Sequence, residues 1–235
     1  MDKSVKEDKF SNAYEYIKNK IILGEYLPLQ DISDMELQKE LGMSRTPIRE
    51  AIQRLEKDSF VKIYPRKGTL VGEIDYNLVN AIYEVRLLNE PYIAVECYNR
   101  LSKEWLKKMY DSFQNPPEFK DHEEYVKYYT RLDDCLHNTV ISQSQNSFLK
   151  ELLNVVADHS NRIRVYCAKV NLNYTLSIEE HLEILDSMLC NNDADVLENY
   201  KMHIRNSWNN AMDLIFPKKS ISVSYTHLRA HETAA

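Results

Sequence analysis

Glycine placement divides this 235-residue chain into two unlike parts. All four glycines, Gly24, Gly42, Gly68 and Gly72, fall in its first 72 residues. The amino-terminal part therefore owns the positive-φ positions that tight turns favour, and the long remainder owns none. That remainder reads as helices punctuated by Asn, Pro and Asp. The division predicts a mainly α protein. A turn-rich domain with a small β-hairpin occupies residues 10–73. An all-helical bundle occupies residues 74–216, with the boundary near Gly72–Asp75. Residues 1–9 are charged and read as a flexible amino terminus.

Within the first part, Phe10, Ala13, Tyr14, Ile17, Ile21 and Ile22 recur at helical spacing, and Gly24 supplies the stop. Ser33 with Glu36 reads as a capping box opening a second helix, whose inner face is Leu37 and Leu41. Gly42 turns the chain into Ser44–Leu55. There Ile48, Ala51, Ile52 and Leu55 form one apolar stripe, while Thr46, Arg49 and Gln53 face away from it. Ser44 or Thr46 can cap this helix, and Pro47 is tolerated in its first turn, where amides lack intrahelical acceptors. Helix, glycine turn and helix make a helix-turn-helix. Phe60–Tyr64 and Thr69–Val71 then read as strands around a Pro65–Gly68 turn. A helix start bearing Ser44, Arg45, Thr46 and Arg49, followed by a hairpin tip bearing Arg66, Lys67 and Gly68, suits phosphates and base edges of duplex DNA.

Charge sharpens this reading. The chain carries a net −6, which argues against wholesale coating of nucleic acid. Between Ser44 and Lys67, however, seven basic side chains stand against three acidic ones, whereas Asp31–Met43 is acidic. A basic edge on an acidic protein is a workable DNA footprint. No apolar run reaches the roughly 18–20 residues of a membrane span. The amino terminus lacks the apolar core of a signal peptide, and the scattered Cys97, Cys135, Cys167 and Cys190 suit reduced thiols. The expected location is the cytoplasm.

The second part reads as six helices. Asp75 caps the first, which contains Pro91, and Ser102 opens the second, which Pro116-Pro117 stops. Two long helices follow over about Phe119–Ile141 and Ser147–Val170. A capping box at Ser177–Glu180 opens the fifth, and the sixth runs to about Phe216. Asp133 and His137 lie four apart and share a helix face. His181 and His203 lie on two later helices. Taken singly, each histidine reads more readily as a hydrogen-bonded or exposed helix residue than as a ligand. Gathered in one bundle, the four are donors that Zn, Ni, Mn or Fe accepts. Arg86, Arg162 and Arg164 are candidates for pairing with an effector carboxylate, beside the equal alternative of interhelix salt bridges. His122 and His159 fit no ligand spacing and read as structural. Residues 217–235 follow no bundle pattern. Ser222–Ala235 looks like a vector-derived translation, so His227 and His231 enter no metal argument.

Leu37–Ile52, with Leu55 and Pro65–Val71, resembles the winged helix of GntR-family transcription regulators, above all in Ser44-Arg45-Thr46-Pro47-x-Arg49-Glu50-Ala51. The resemblance implies operator contacts from Arg45, Thr46 and Arg49 and a minor-groove wing around Gly68. Met35 stands where many members have arginine, and Leu29 and Ser59 stand where glycine is common. Leu132–His137, His181 and His203 resemble the FCD effector domain of the FadR-type branch. There the matching Asp133, His137, His181 and His203 imply a divalent metal at the base of a cavity for a small organic acid. The resulting expectation is a homodimeric, ligand-responsive repressor on a palindromic operator, with no catalytic residues. The alternative is a metal-dependent enzyme in which the Asp/His set activates water.

Overall fold

The computed structural model describes residues 3–170 and 177–217, with side chains from Phe10 onward. Residues 171–176 and 218–235, with His227 and His231, lie outside the described residues.

In the amino-terminal part, α1 (Lys3–Ile22), α2 (Asp34–Leu41) and α3 (Arg45–Lys57) pack around one apolar cluster. Backbone helix thus begins at Lys3 and takes in most of the stretch expected to precede it. The stripe expected on α3 is its buried face: Ile48, Ala51, Ile52 and Leu55 are each at most 3% exposed, and Pro47 is buried with them. Burying side chains of that size contributes roughly 1.5–3 kcal/mol each. Ile17 and Ile21 of α1 and Phe60 close the same core.

The hairpin consists of β2 (Val61–Tyr64) and β3 (Gly68–Val71), antiparallel, with Val61 opposite Val71 and Tyr64 opposite Gly68. A third strand, β1 (Asp31–Ile32), pairs with the outer edge of β3, giving the order β1-β3-β2. Two residues are too few to show an alternating pattern, so β1 had no signal of its own.

The carboxy-terminal part comprises α4 (Tyr76–Cys97), α5 (Lys103–Gln114), α6 (His122–Ser142), α7 (Ser147–Val170), α8 (Ile178–Leu189) and α9 (Asp193–Ile215). They surround a second apolar cluster that includes Tyr83, Leu136, Leu153, Ile184 and Ile204. α4 continues through Pro91 as one helix. The side chains of Asp75, Ser102, Asp121 and Asn192 each accept an amide hydrogen at a helix start. Two expected caps behave differently. Ser44 and Ser177 occupy N-cap positions, but neither side chain makes a capping hydrogen bond.

α7 joins the two parts, because one stripe of it lies against the winged helix. Lys18 of α1 pairs with Asp158 at 2.8 Å. The His159 ring stacks on Phe60 with centroids 4.0 Å apart, and its Nε2–H donates to the Asp58 carbonyl at 2.8 Å. Arg162 donates to the Gly72 carbonyl. Lys169 Nζ donates to the carbonyls of Leu23 and Gly24, at 2.8 and 2.9 Å, just past the end of α1.

Candidate functional site

Two candidate sites lie on these elements. The first is the outer edge of the winged helix. Burial of one face of α3 leaves Ser44, Arg45, Thr46 and Arg49 exposed at its start, and the hairpin turn leaves Arg66, Lys67 and Gly68 exposed at its tip. The Arg45 and Arg49 side chains are 62% and 61% exposed, and each approaches Asp34 of α2, at 3.7 and 3.4 Å. Exposed pairs of this kind contribute less than about 1 kcal/mol. Asp34 therefore holds the two guanidinium groups side by side without withdrawing them from solvent. At the tip Arg66 itself takes a positive φ of 65° and Gly68 one of 118°. The φ of Gly68 is one that other side chains rarely adopt, and a Cβ there would lie 2.9 Å from Asp31 Oδ1, which would have to shift.

The second site lies inside the bundle. Asp133 and His137 on α6, His181 on α8 and His203 on α9 are all buried, and one donor atom from each lies within 4.8 Å of the others. The three helices thus converge on one point. The orientation of each imidazole is fixed from behind. His137 Nδ1–H donates to Glu90 of α4 at 2.8 Å, His181 Nδ1–H to the Ser177 carbonyl at 2.8 Å, and His203 Nδ1–H to Glu180 at 2.9 Å. With each Nδ1 committed as donor, each Nε2 is the free lone-pair position. His137 Nε2 is buried and has no hydrogen-bond partner. His181 Nε2 lies 3.0 Å and His203 Nε2 4.0 Å from Asp133 Oδ1. His181 therefore faces acceptors at both nitrogens.

Electrostatics agree with that chemistry. Burial, with His181 and His137 close by, pushes His203 down to about 3, and burial lowers His137, so both imidazoles are neutral. Although burial opposes it, the adjacent Arg164 and the histidines hold Asp133 well below the usual carboxylate range. Against the same opposition, Arg86 and His137 hold Glu90 at about 2. Neutral imidazoles and an ionised carboxylate are the ligand forms a divalent ion requires. The four donor atoms lie within 4.8 Å of one another, so seating an ion requires them to draw closer together.

The three candidate arginines separate. Arg86 is buried and doubly paired with Glu90, at 2.7 and 3.3 Å, and donates to Ser160 at 2.7 Å. Arg164 pairs with Asp134 and places Nη1 2.9 Å from Asp133 Oδ2, in ion-pair range but outside hydrogen-bond geometry. Both line a cavity of about 10 Å³ beside Asp133 and His137. Arg162 does not belong with them. Two positions from Arg164 on one helix, it points to the opposite side and meets Gly72 at the winged helix. His159, read as structural, is part of that same junction.

Sequence reasoning missed Glu90 and Glu180, the carboxylates behind His137 and His203. Glu180 lay in the capping box expected at Ser177, but its side chain accepts from His203 and from Asn206 instead. No local pattern signalled Glu180. Glu90 had a signal, four residues from Arg86 on a face that is otherwise apolar.

Residues 9–71 match the family described as bacterial regulatory proteins of the gntR family, and residues 81–206 match the FCD domain. An HTH-type transcriptional regulator of Agrobacterium vitis is 37% identical over 82 residues, 35% of this chain, and the match spans about half, 48%, of that relative. The Nta operon transcriptional regulator of Aminobacter aminovorans is 28% identical over 81% of this chain and 88% of its own length. The fatty acid metabolism regulator protein of Haemophilus influenzae is 22% identical over 73% and 76%. Among solved structures, a GntR regulator from Rhodococcus superposes with a TM-score of 0.72 at 16% identity, over 87% of this chain and 98% of its own. That likeness speaks for the fold.

Proposed function

The chain belongs to the gntR family of bacterial regulatory proteins, in the FadR-type branch with an FCD domain, and from that premise we propose a metal- and ligand-controlled repressor. Its kind is set by the family: it is a DNA-binding transcription regulator and not an enzyme. The metal-dependent enzyme alternative leaves the winged helix without a purpose and is set aside.

In our reading Ser44, Arg45, Thr46, Arg49, Arg66, Lys67 and Gly68 contact a palindromic operator. Arg49 reads a base edge, and the hairpin tip follows the minor groove. Asp133, His137, His181 and His203 hold Zn, Ni, Mn or Fe. The observation that carries this proposal is the set of three imidazoles, each fixed by an acceptor on Nδ1 and aimed with Nε2 toward one buried carboxylate. Acceptors behind metal-bound histidines are the usual support of such a centre.

The effector is a small organic acid whose carboxylate completes the metal shell beside Arg86 and Arg164. A cavity of about 10 Å³ has room for one water-sized group, so the acid enters as α6 and α7 part. A homodimer is supported by apolar side chains left exposed on two helices, Leu88 and Tyr92 of α4 and Phe148 and Leu152 of α7. No described helix is long and apolar enough to cross a membrane, and a cytoplasmic location follows from operator binding.

Arg49→Ala is expected to lose about 1–3 kcal/mol of discrimination between operator and unrelated DNA. A mobility-shift titration on the chain's own promoter fragment measures it, and an unchanged affinity ratio refutes the assignment. Elemental analysis with mass spectrometry of natively purified protein names the metal and acid together; protein purified without either refutes the bundle half.

A further inference from the structure

Asp34 sets a negative charge among the cations of the recognition edge. The backbone fixes its place: Ser33 caps α2 by accepting from the Glu36 amide at 3.3 Å, and Asp34 is the first residue of that helix. From there one oxygen, Oδ2, lies 3.7 Å from Arg45 Nε and 3.4 Å from Arg49 Nε. The Asp34 side chain is 26% exposed, so it lies deeper than either guanidinium.

Arg54, on the same helix, makes the contrast. Its Nε donates to the buried Asp58 at 2.8 Å, which commits that guanidinium to the fold. Arg45 and Arg49 are drawn toward Asp34 without hydrogen-bond geometry, so their restraint is electrostatic and reversible. A guanidinium can grip paired acceptors with Nε and one Nη, or with its two Nη groups. Attraction of Nε to Asp34 turns the Nη end outward, the end that meets O6 and N7 of a guanine squarely. A phosphate accepts either edge and rewards no particular one. Asp34 also repels a phosphate that approaches from the Nε side.

We propose that Asp34 is a specificity-determining residue of the DNA edge. By occupying the Nε side of Arg45 and Arg49, it weakens their hold on the phosphates of arbitrary DNA and favours a matching base edge. The inference rests on the operator reading of those two arginines.

The test measures affinity for the chain's own promoter fragment and for unrelated duplex DNA across a range of salt. Wild type, Asp34→Asn and Asp34→Glu are compared, with folding verified by circular dichroism. Asp34→Asn is expected to bind unrelated DNA about fivefold more tightly, the worth of one exposed ion pair. Its salt slope on that DNA steepens by about 0.9, as for one further phosphate contact. The ratio of operator to unrelated affinity falls, and Asp34→Glu restores both readings. An unchanged slope and ratio in Asp34→Asn overturns the proposal. So does equally weakened binding to both DNAs, which is the mark of a loosened α2. Should Asp34→Asn fail to fold, Asp34→Ser, whose hydroxyl suits a helix start, is read by the same criteria. Arg49→Ala separates the two proposals. If it keeps the wild-type ratio, the operator reading fails; if it loses the ratio while Asp34→Asn keeps it, this inference alone fails.

Discussion

Leu29 and Ser59 hold backbone φ values of 66° and 65°. These are the two positions where family members commonly carry glycine, and the left-handed conformation explains that preference. A side chain there costs about 1–2 kcal/mol, partly offset by the greater unfolded-state freedom that glycine would bring. Ser59→Gly is therefore expected to stabilise the protein by about 0.5–1 kcal/mol in urea unfolding, and a loss of stability contradicts the account. The departures were legible as residues, but their strain needed the backbone. Glu180 makes the complementary case. Its role depends on His203, twenty-three positions away, and no local pattern encodes that pairing. Glu180→Ala should lower metal affinity about 10- to 100-fold, with partial rescue in Glu180→Gln, whose amide oxygen still accepts from Nδ1–H. Competition against a chromophoric chelator reads both variants, and equal affinities in all three proteins rule out the positioning role.

Among the elements, α7 carries two unlike faces. Arg164 and Ser160 reach the charged network around Asp133, and Asp158, His159, Arg162 and Lys169 reach the winged helix. Helical periodicity and the six-helix count were readable from apolar spacing and punctuation, since both depend on neighbours within a few residues. That α7 grips the other domain was not readable, because its partners there are mostly backbone carbonyls, which any sequence presents. His159 gives this junction a pH dependence. Burial pushes it down to about 4 from an ordinary value near 6.5. The folded state thus holds it neutral, and its contribution is complete above about 6.5 and disappears as pH falls toward 4. Roughly 3 kcal/mol is at stake. The difference between wild type and His159→Gln in urea unfolding at pH 7 and pH 4.5 isolates it. A pH-independent difference removes His159 from the account.

At the scale of the whole molecule, a recognition edge on α3 and the hairpin and a buried centre spanning α6, α8 and α9 are joined through α7. The edge was legible because its chemistry sits in one contiguous stretch. The centre was legible only through the family resemblance, since spacing cannot say that three helices converge. If the homodimer forms through α4 and α7, Leu88→Glu with Tyr92→Glu should yield a monomer in light scattering. Operator affinity would fall with it, because one half-site holds poorly alone. A double variant that remains dimeric moves the interface elsewhere. The most direct test of the central claim is the operator Kd of the wild-type protein measured metal-loaded and after chelation, with metal content verified in the same samples. The account predicts that the two values differ at least about fivefold, the lower limit of ordinary coupling between sites. Identical values across a verified loss of metal would contradict it.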